Sequence, residues 1–158
     1  MAMVSNKSNA RFWAGFAVVL ISWTAYSCAA HGADFYVDAA TGSNTTGDGS
    51  APLPWKTVTF ALTQVAANSG STIHVAAGTY NTALGETFPI VMKNGVSLLS
   101  DAGPITTILD GSGSGQRTVN ATSTGSGTSL SGFTIKYSGG GGGVTTGGSS
   151  LTVSNNII

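Results

Sequence analysis

Cysteine is almost absent: Cys28 is the sole one in 158 residues. It falls within an N-terminal apolar segment, so the rest of the chain has none. That excludes a disulfide framework, a thiolate metal site and a thiol nucleophile. Charge is equally scarce, at 8% of residues, with six basic against six acidic. Beyond residue 33, four basic residues face six acidic ones, a net formal charge of about −2. There is no run of Lys or Arg, so a nucleic-acid partner has no electrostatic support. His74 is the only histidine after residue 33, which argues against a histidine metal site. Stability must therefore come from burial and backbone hydrogen bonds.

The longest apolar run is Phe12 to Tyr26, broken by Ser22 and Thr24. Lys7 and Arg11 precede it, and small residues from Ser27 to Ala33 follow. Basic, apolar and small-residue regions in that order form the layout of a secretory signal peptide. A membrane span needs roughly 20 apolar residues, more than this run supplies. Residues 1–33 are read as the signal, cleaved after Ala33 or Ala30, which makes the product secreted or extracytoplasmic. No transmembrane span is expected in the mature chain. Ala25-Tyr26-Ser27-Cys28 has the outline of a lipoprotein box, with a lipid anchor at Cys28 as the alternative. The branched aliphatic residue usual three positions before that cysteine is missing.

What remains is rich in Gly, Ser, Thr, Val and Ile, a mixture that suits short β-branched strands joined by many turns. One helix is legible. Thr57 can cap it, and Val58, Ala61, Leu62, Val65 and Ala66 fall on one stripe, about three turns long. Asn68-Ser69-Gly70 stops it. Ile73-His74-Val75 then alternates as a half-buried strand, with His74 outward and solvated. Ile73, Val96, Val119 and Val144 recur at 23, 23 and 25 residues. Ile108, Leu130 and Val153 recur at 22 and 23, and Leu130–Ile135 lies over Val153–Ile158.

Such a period signals a solenoid. Stacked coils of short strands form parallel sheets, with inward Ile, Val and Leu in columns. A β-sandwich would need tight hairpin turns, and Asn94-Gly95 is the only pair of that kind. The expected fold is an all-β solenoid, a right-handed parallel β-helix. Residues 34–72 supply a strand (Phe35-Tyr36-Val37), a loop and the helix, which covers the apolar end of the first coil. Residues 73–158 form the coils. They are read as incomplete, because the chain stops inside a repeat. The run Gly139–Gly143 is read as a lengthened coil turn.

Residues 34–111 also carry a resemblance. The residues are Phe35-Tyr36-Val37-Asp38, Gly47-Asp48-Gly49-Ser50, Pro54-Trp55-Lys56-Thr57-Val58, Ala61-Leu62, Ile73 through Tyr80, Gly85 through Ile90, Gly95 through Leu99, and Thr107 through Gly111. In that order and spacing the stretch resembles the uncharacterised bacterial domain found at the start of many pectin-lyase-like parallel β-helix proteins. Ala77 stands where proline is usual and Ser100 where glycine is usual. The resemblance implies a β-helix with an N-terminal helical lid, and no known reaction.

Enzymes on such a fold would show acids stacked on consecutive coils. Asp34, Asp38, Asp48, Glu86, Asp101 and Asp110 form no such column. No residue is put forward as catalytic, cofactor-binding or metal-ligating. Arg117 and Lys136 read as solvated turn residues sooner than as a proton-abstracting base. Asp38 and Asp48 flank a loop that could hold structural calcium, but Asp and Asn are also ordinary turn formers. Glu86 reads as a buried carboxylate that braces its turn. Trp55 reads as packing the lid onto the coil. Asn44-Thr45-Thr46 and Asn120-Ala121-Thr122 fit the glycosylation pattern. Two functions follow as expectations. One is a glycan- or surface-binding scaffold, with a polysaccharide or cell-surface glycan as partner and no catalysis here. The alternative is a polysaccharide lyase or glycoside hydrolase whose catalytic coils lie beyond Ile158.

Overall fold

The computed structural model describes residues 32–137 and 142–158. The export reading over residues 1–31, Cys28 included, lies outside the described residues, as do residues 139–141 of the glycine run.

Eleven short strands and one helix follow in order: β1 Asp34–Val37, α1 Val58–Gln64, β2 Thr72–Val75, β3 Gly78–Asn81, β4 Ile90–Val91, β5 Ser97–Ser100, β6 Thr107–Asp110, β7 Val119–Asn120, β8 Ser129–Ser131, β9 Thr134–Lys136, β10 Val144–Thr145 and β11 Thr152–Ser154. They form three sheets, in the orders β1-β2-β5-β8-β11, β4-β7-β10 and β3-β6-β9. Every ladder is parallel. Each circuit of the chain visits the three sheets in turn, so the molecule is a parallel β-helix solenoid with an N-terminal helix, and the sandwich is excluded.

The columns inside are aliphatic, as alternation along a strand requires. Ile73, Leu98 and Leu130 stack in register, as do Tyr80, Leu109 and Ile135, and all are essentially inaccessible. Ile90 and Val119 stack in the third sheet. The Tyr80 hydroxyl donates to the Ala76 carbonyl at 2.9 Å, so its burial leaves no polar group unmet.

The period read from the sequence needs correction. Ile73, Leu98, Leu130 and Val153 are the true column of the first sheet, 25, 32 and 23 residues apart. Val96 and Val119 are both buried but do not lie in one sheet, because Val96 precedes β5 while Val119 begins β7. Ile108 faces outward and Leu109 inward. The coils differ in loop length, so a constant spacing runs across sheets. The overlay of Leu130 on Val153 holds, and a bridge of Thr134 to Ile157 extends it.

The helix begins where expected: Thr57 caps it and accepts the Phe60 N–H at 3.3 Å. It ends earlier, after seven residues, because Val65 turns extended (φ −79°, ψ 135°) while its N–H still bonds the Ala61 carbonyl. Val65 stays buried and Ala66 is exposed.

The lid is more than the helix. The outer edge of β1 is taken by the returning loop: Tyr36 N–H donates to Gly49 O, Trp55 N–H to Tyr36 O and Asp38 N–H to Trp55 O. Trp55, 5% exposed, stacks on Phe35 with ring centroids 5.3 Å apart and meets Phe60 edge-on. Gly49 sits at φ +83°, and a Cβ there would come within 2.6 Å of the Trp55 ring, so only glycine fits. Asn94-Gly95, the hairpin-like pair, is a coil corner: Asn94 donates to Asn68 Oδ1 at 2.8 Å and accepts the Gly125 N–H. Ser100 points inward and bonds Thr107 Oγ1 at 2.7 Å and the Gly103 N–H at 2.9 Å, which ties its turn.

Candidate functional site

Strand alternation puts every second residue of the five-stranded sheet on its outer face. Four consecutive strands carry a hydroxyl in register there: Thr72 on β2, Ser97 on β5, Ser129 on β8 and Thr152 on β11. A second row runs Tyr36, His74, Leu99 and Ser131, and Ser154 follows, its Oγ 3.1 Å from Ser131 Oγ. Neighbouring strands lie ~4.8 Å apart, so the rows repeat at that pitch.

The N-terminal end of this face is the most elaborate part. Tyr36 and His74 stack with centroids 5.1 Å apart and planes 20° from parallel. His74 Nδ1 lies 2.7 Å from Asp101 Oδ1 and Nε2 lies 3.6 Å from Asp34 Oδ1. The short contact assigns the Nδ1–H of the neutral ring as donor to Asp101. His74 is outward, as alternation requires, but it is not simply solvated: its side chain is 22% exposed, against 60% for Asp34 and 46% for Asp101. The sequence hid this because Asp34 and Asp101 lie far from His74 along the chain. The register His74 to Leu99 is the signal that finds Asp101, two residues on and on the same face.

The other acids have structural work. Asp38 accepts the Ala40 and Thr41 N–H groups and the Thr41 hydroxyl. Partial burial pushes its carboxyl up, and those three bonds more than offset it, leaving it below the ordinary aspartate value. Asp48 accepts the Ser50 N–H at 2.9 Å, and Ser50 holds it below its ordinary value too. Both act as turn formers. Among the described residues no three His, Cys, Asp or Glu side chains are placed to hold a metal ion.

Glu86 is buried, but it braces the helix and not its own turn. It accepts the Val58 N–H, the Thr59 N–H at 3.0 Å and the Thr59 hydroxyl at 2.6 Å. Its turn is held by Asn81. Burial raises the Glu86 carboxyl above its ordinary value, against the pull of the Thr59 hydroxyl and the two N–H groups. Arg117 and Lys136 are exposed, and Lys136 stands in register with Asp110. Asn44 spends its amide inside the lid, accepting Lys56 and Thr57 N–H groups and donating to Thr57 Oγ1 at 2.9 Å.

Among the described residues no helix is long and apolar enough to cross a membrane. No curated protein and no solved structure matches the chain. A family model described as "Protein of unknown function (DUF1565)" matches residues 40–158, three coils and most of the lid. On that match the chain belongs to the DUF1565 family.

Proposed function

We propose that this chain is a secreted or cell-surface scaffold that binds glycans through the outer face of its five-stranded sheet, and that the residues described here carry no catalysis. The reading includes a right-handed helix of the pectin-lyase-like kind and export by residues 1–33. The observation that supports it is the in-register hydroxyl row Thr72, Ser97, Ser129 and Thr152. Each hydroxyl can donate and accept. A row repeating at sheet spacing offers a repeating polymer many equivalent, individually weak contacts, which gain strength together. Tyr36 and Leu99 add apolar surface for the carbon–hydrogen faces of sugar rings.

The test is retention of the full chain on insoluble cellulose, chitin and xylan and on a panel of immobilised bacterial surface glycans. Retention on at least one is expected, and Ser97→Glu with Ser129→Glu should weaken it at least about tenfold at unchanged thermal stability, a loss of ~1.4 kcal/mol. Failure on every surface, or equal retention of the variant, contradicts the reading. The same chain is expected to release no product from pectin, alginate or xylan. Release above a heat-killed control moves the reading to a carbohydrate-active enzyme.

A further inference from the structure

The sheet β4-β7-β10 lacks a member that the five-stranded sheet has. The larger sheet starts with β1, one coil ahead of β2, whereas β4 has β7 on one side and no strand on the other. α1 packs against that open side, and a cleft of about 540 Å3 lies between them. Leu62 and Met92, each 5% exposed, line it beneath Val91, which is 58% exposed.

The backbone of β4 decides what fits this cleft. In a parallel ladder successive residues turn their N–H and C=O to opposite neighbours. Ile90 N–H donates to Thr118 O at 2.9 Å and Met92 N–H to Asn120 O at 2.8 Å, so residues 90 and 92 serve β7. The C=O of Pro89, the N–H and C=O of Val91 and the N–H of Lys93 therefore face the cleft. No described residue hydrogen-bonds to any of these four groups.

We propose that this edge receives an extended polypeptide segment of a partner protein, added as a strand between β4 and α1. One partner residue gives its N–H to Pro89 O and accepts the Val91 N–H. The residue two further on gives its N–H to Val91 O and accepts the Lys93 N–H. Paired in this way with Ile90 and Met92, the two partner side chains point inward onto Leu62 and Met92. Both are apolar and neither is proline; the residue between them faces solvent beside Val91. Main-chain bonds supply affinity and the inward pockets supply selectivity, the logic of strand addition at a sheet edge. Pro89 offers no N–H, and the Lys93 ammonium reaches across to the Val65 carbonyl at 2.6 Å. These two features limit the docking segment to about three residues, the span of the four groups. The proposal concerns a different sheet from the glycan-binding face and does not depend on it.

The experiment uses the full chain, isotope-labelled, and the capped pentapeptide Ser-Val-Thr-Val-Ser at millimolar concentration. Amide exchange at Val91 and Lys93 is expected to slow at least about tenfold near saturation, while Val75 and Leu98 are unchanged. The same peptide N-methylated at both valines should have no effect. Val91→Pro removes an N–H that the fold does not use, and should abolish the response with the remaining spectrum intact. If that variant does not fold, the N-methylated comparison decides alone. The proposal is overturned by unchanged exchange at Val91 and Lys93 or by equal slowing with the N-methylated peptide. Slow exchange in the chain without peptide also overturns it, because the edge is then filled by the chain itself or by a second copy.

Discussion

At Glu86 burial and hydrogen bonding act in opposite directions on one proton. The carboxyl is raised above the ordinary glutamate value of 4.5, because burial outweighs the three bonds it accepts. The fold therefore holds this proton more tightly than the unfolded chain does. Such a group stabilises most below its unfolded value, and that contribution fades as pH rises through the folded value. Urea unfolding should show wild type losing stability relative to Glu86→Gln as pH climbs from about 4 to 7; parallel profiles contradict this. Glu86→Ala, which strands the Val58 and Thr59 N–H groups, should cost about 2–4 kcal/mol at neutral pH. Thr59 Oγ1 lies 2.6 Å from Glu86 and 3.0 Å from the Thr87 carbonyl, so it can donate to either while the acid form donates to it. The contrast between faces is read from stability too. Val119→Asp puts a charge at a fully buried position and should cost more than ~3 kcal/mol, while His74→Ala should cost about 1 kcal/mol or less. Equal melting shifts for the two would contradict the inward placement of Val119. Burial of Glu86 was legible from the sequence, but its partners were not, since Val58 and Thr59 lie 28 and 27 residues away.

Among the elements, α1 and the loop before it form one lid, and the sequence disclosed its parts unequally. Thr57 marked the helix start because a side-chain acceptor at that position answers the unpaired N–H groups of the first turn. The helix end was hidden because Val65 continues the apolar stripe while leaving the helix; the chain buries it by turning. The loop's own contribution was hidden as well, since pairing Trp55 with Val37 follows no local pattern. Trp55 nonetheless read as packing the lid, and it does. Trp55→Ser removes the contact with Phe35 and should loosen the segment that covers the β1 edge. Exposed edges pair with other chains. Sedimentation should show the variant associating as concentration rises while wild type does not; a variant that stays monomeric throughout contradicts that account of the lid.

For the whole molecule, the sequence disclosed the architecture before it disclosed the register. Recurring aliphatic strands with glycine and asparagine corners, and no hairpin turns, pointed to parallel coils, and the sheets are parallel. The spacing of about 23 residues placed Val96 and Val119 in one series. Loops of unequal length after β6 and β7 stretch one coil, so the physical column passes through Leu98 and Leu130 instead. The cluster of Asp34, Tyr36, His74 and Asp101 depends on that register, which is why no column of acids was visible along the chain. Register is tested most directly by crosslinking, in a Cys28→Ser background to leave no other thiol. Ser97 and Ser129 are in-register neighbours on adjacent strands, close enough for a disulfide, whereas Ser131 is two residues out of step with Ser97. Ser97→Cys with Ser129→Cys should close to an intramolecular disulfide under mild oxidation, and Ser97→Cys with Ser131→Cys should stay reduced. The stacked-coil account is contradicted if the first pair stays open while the second closes.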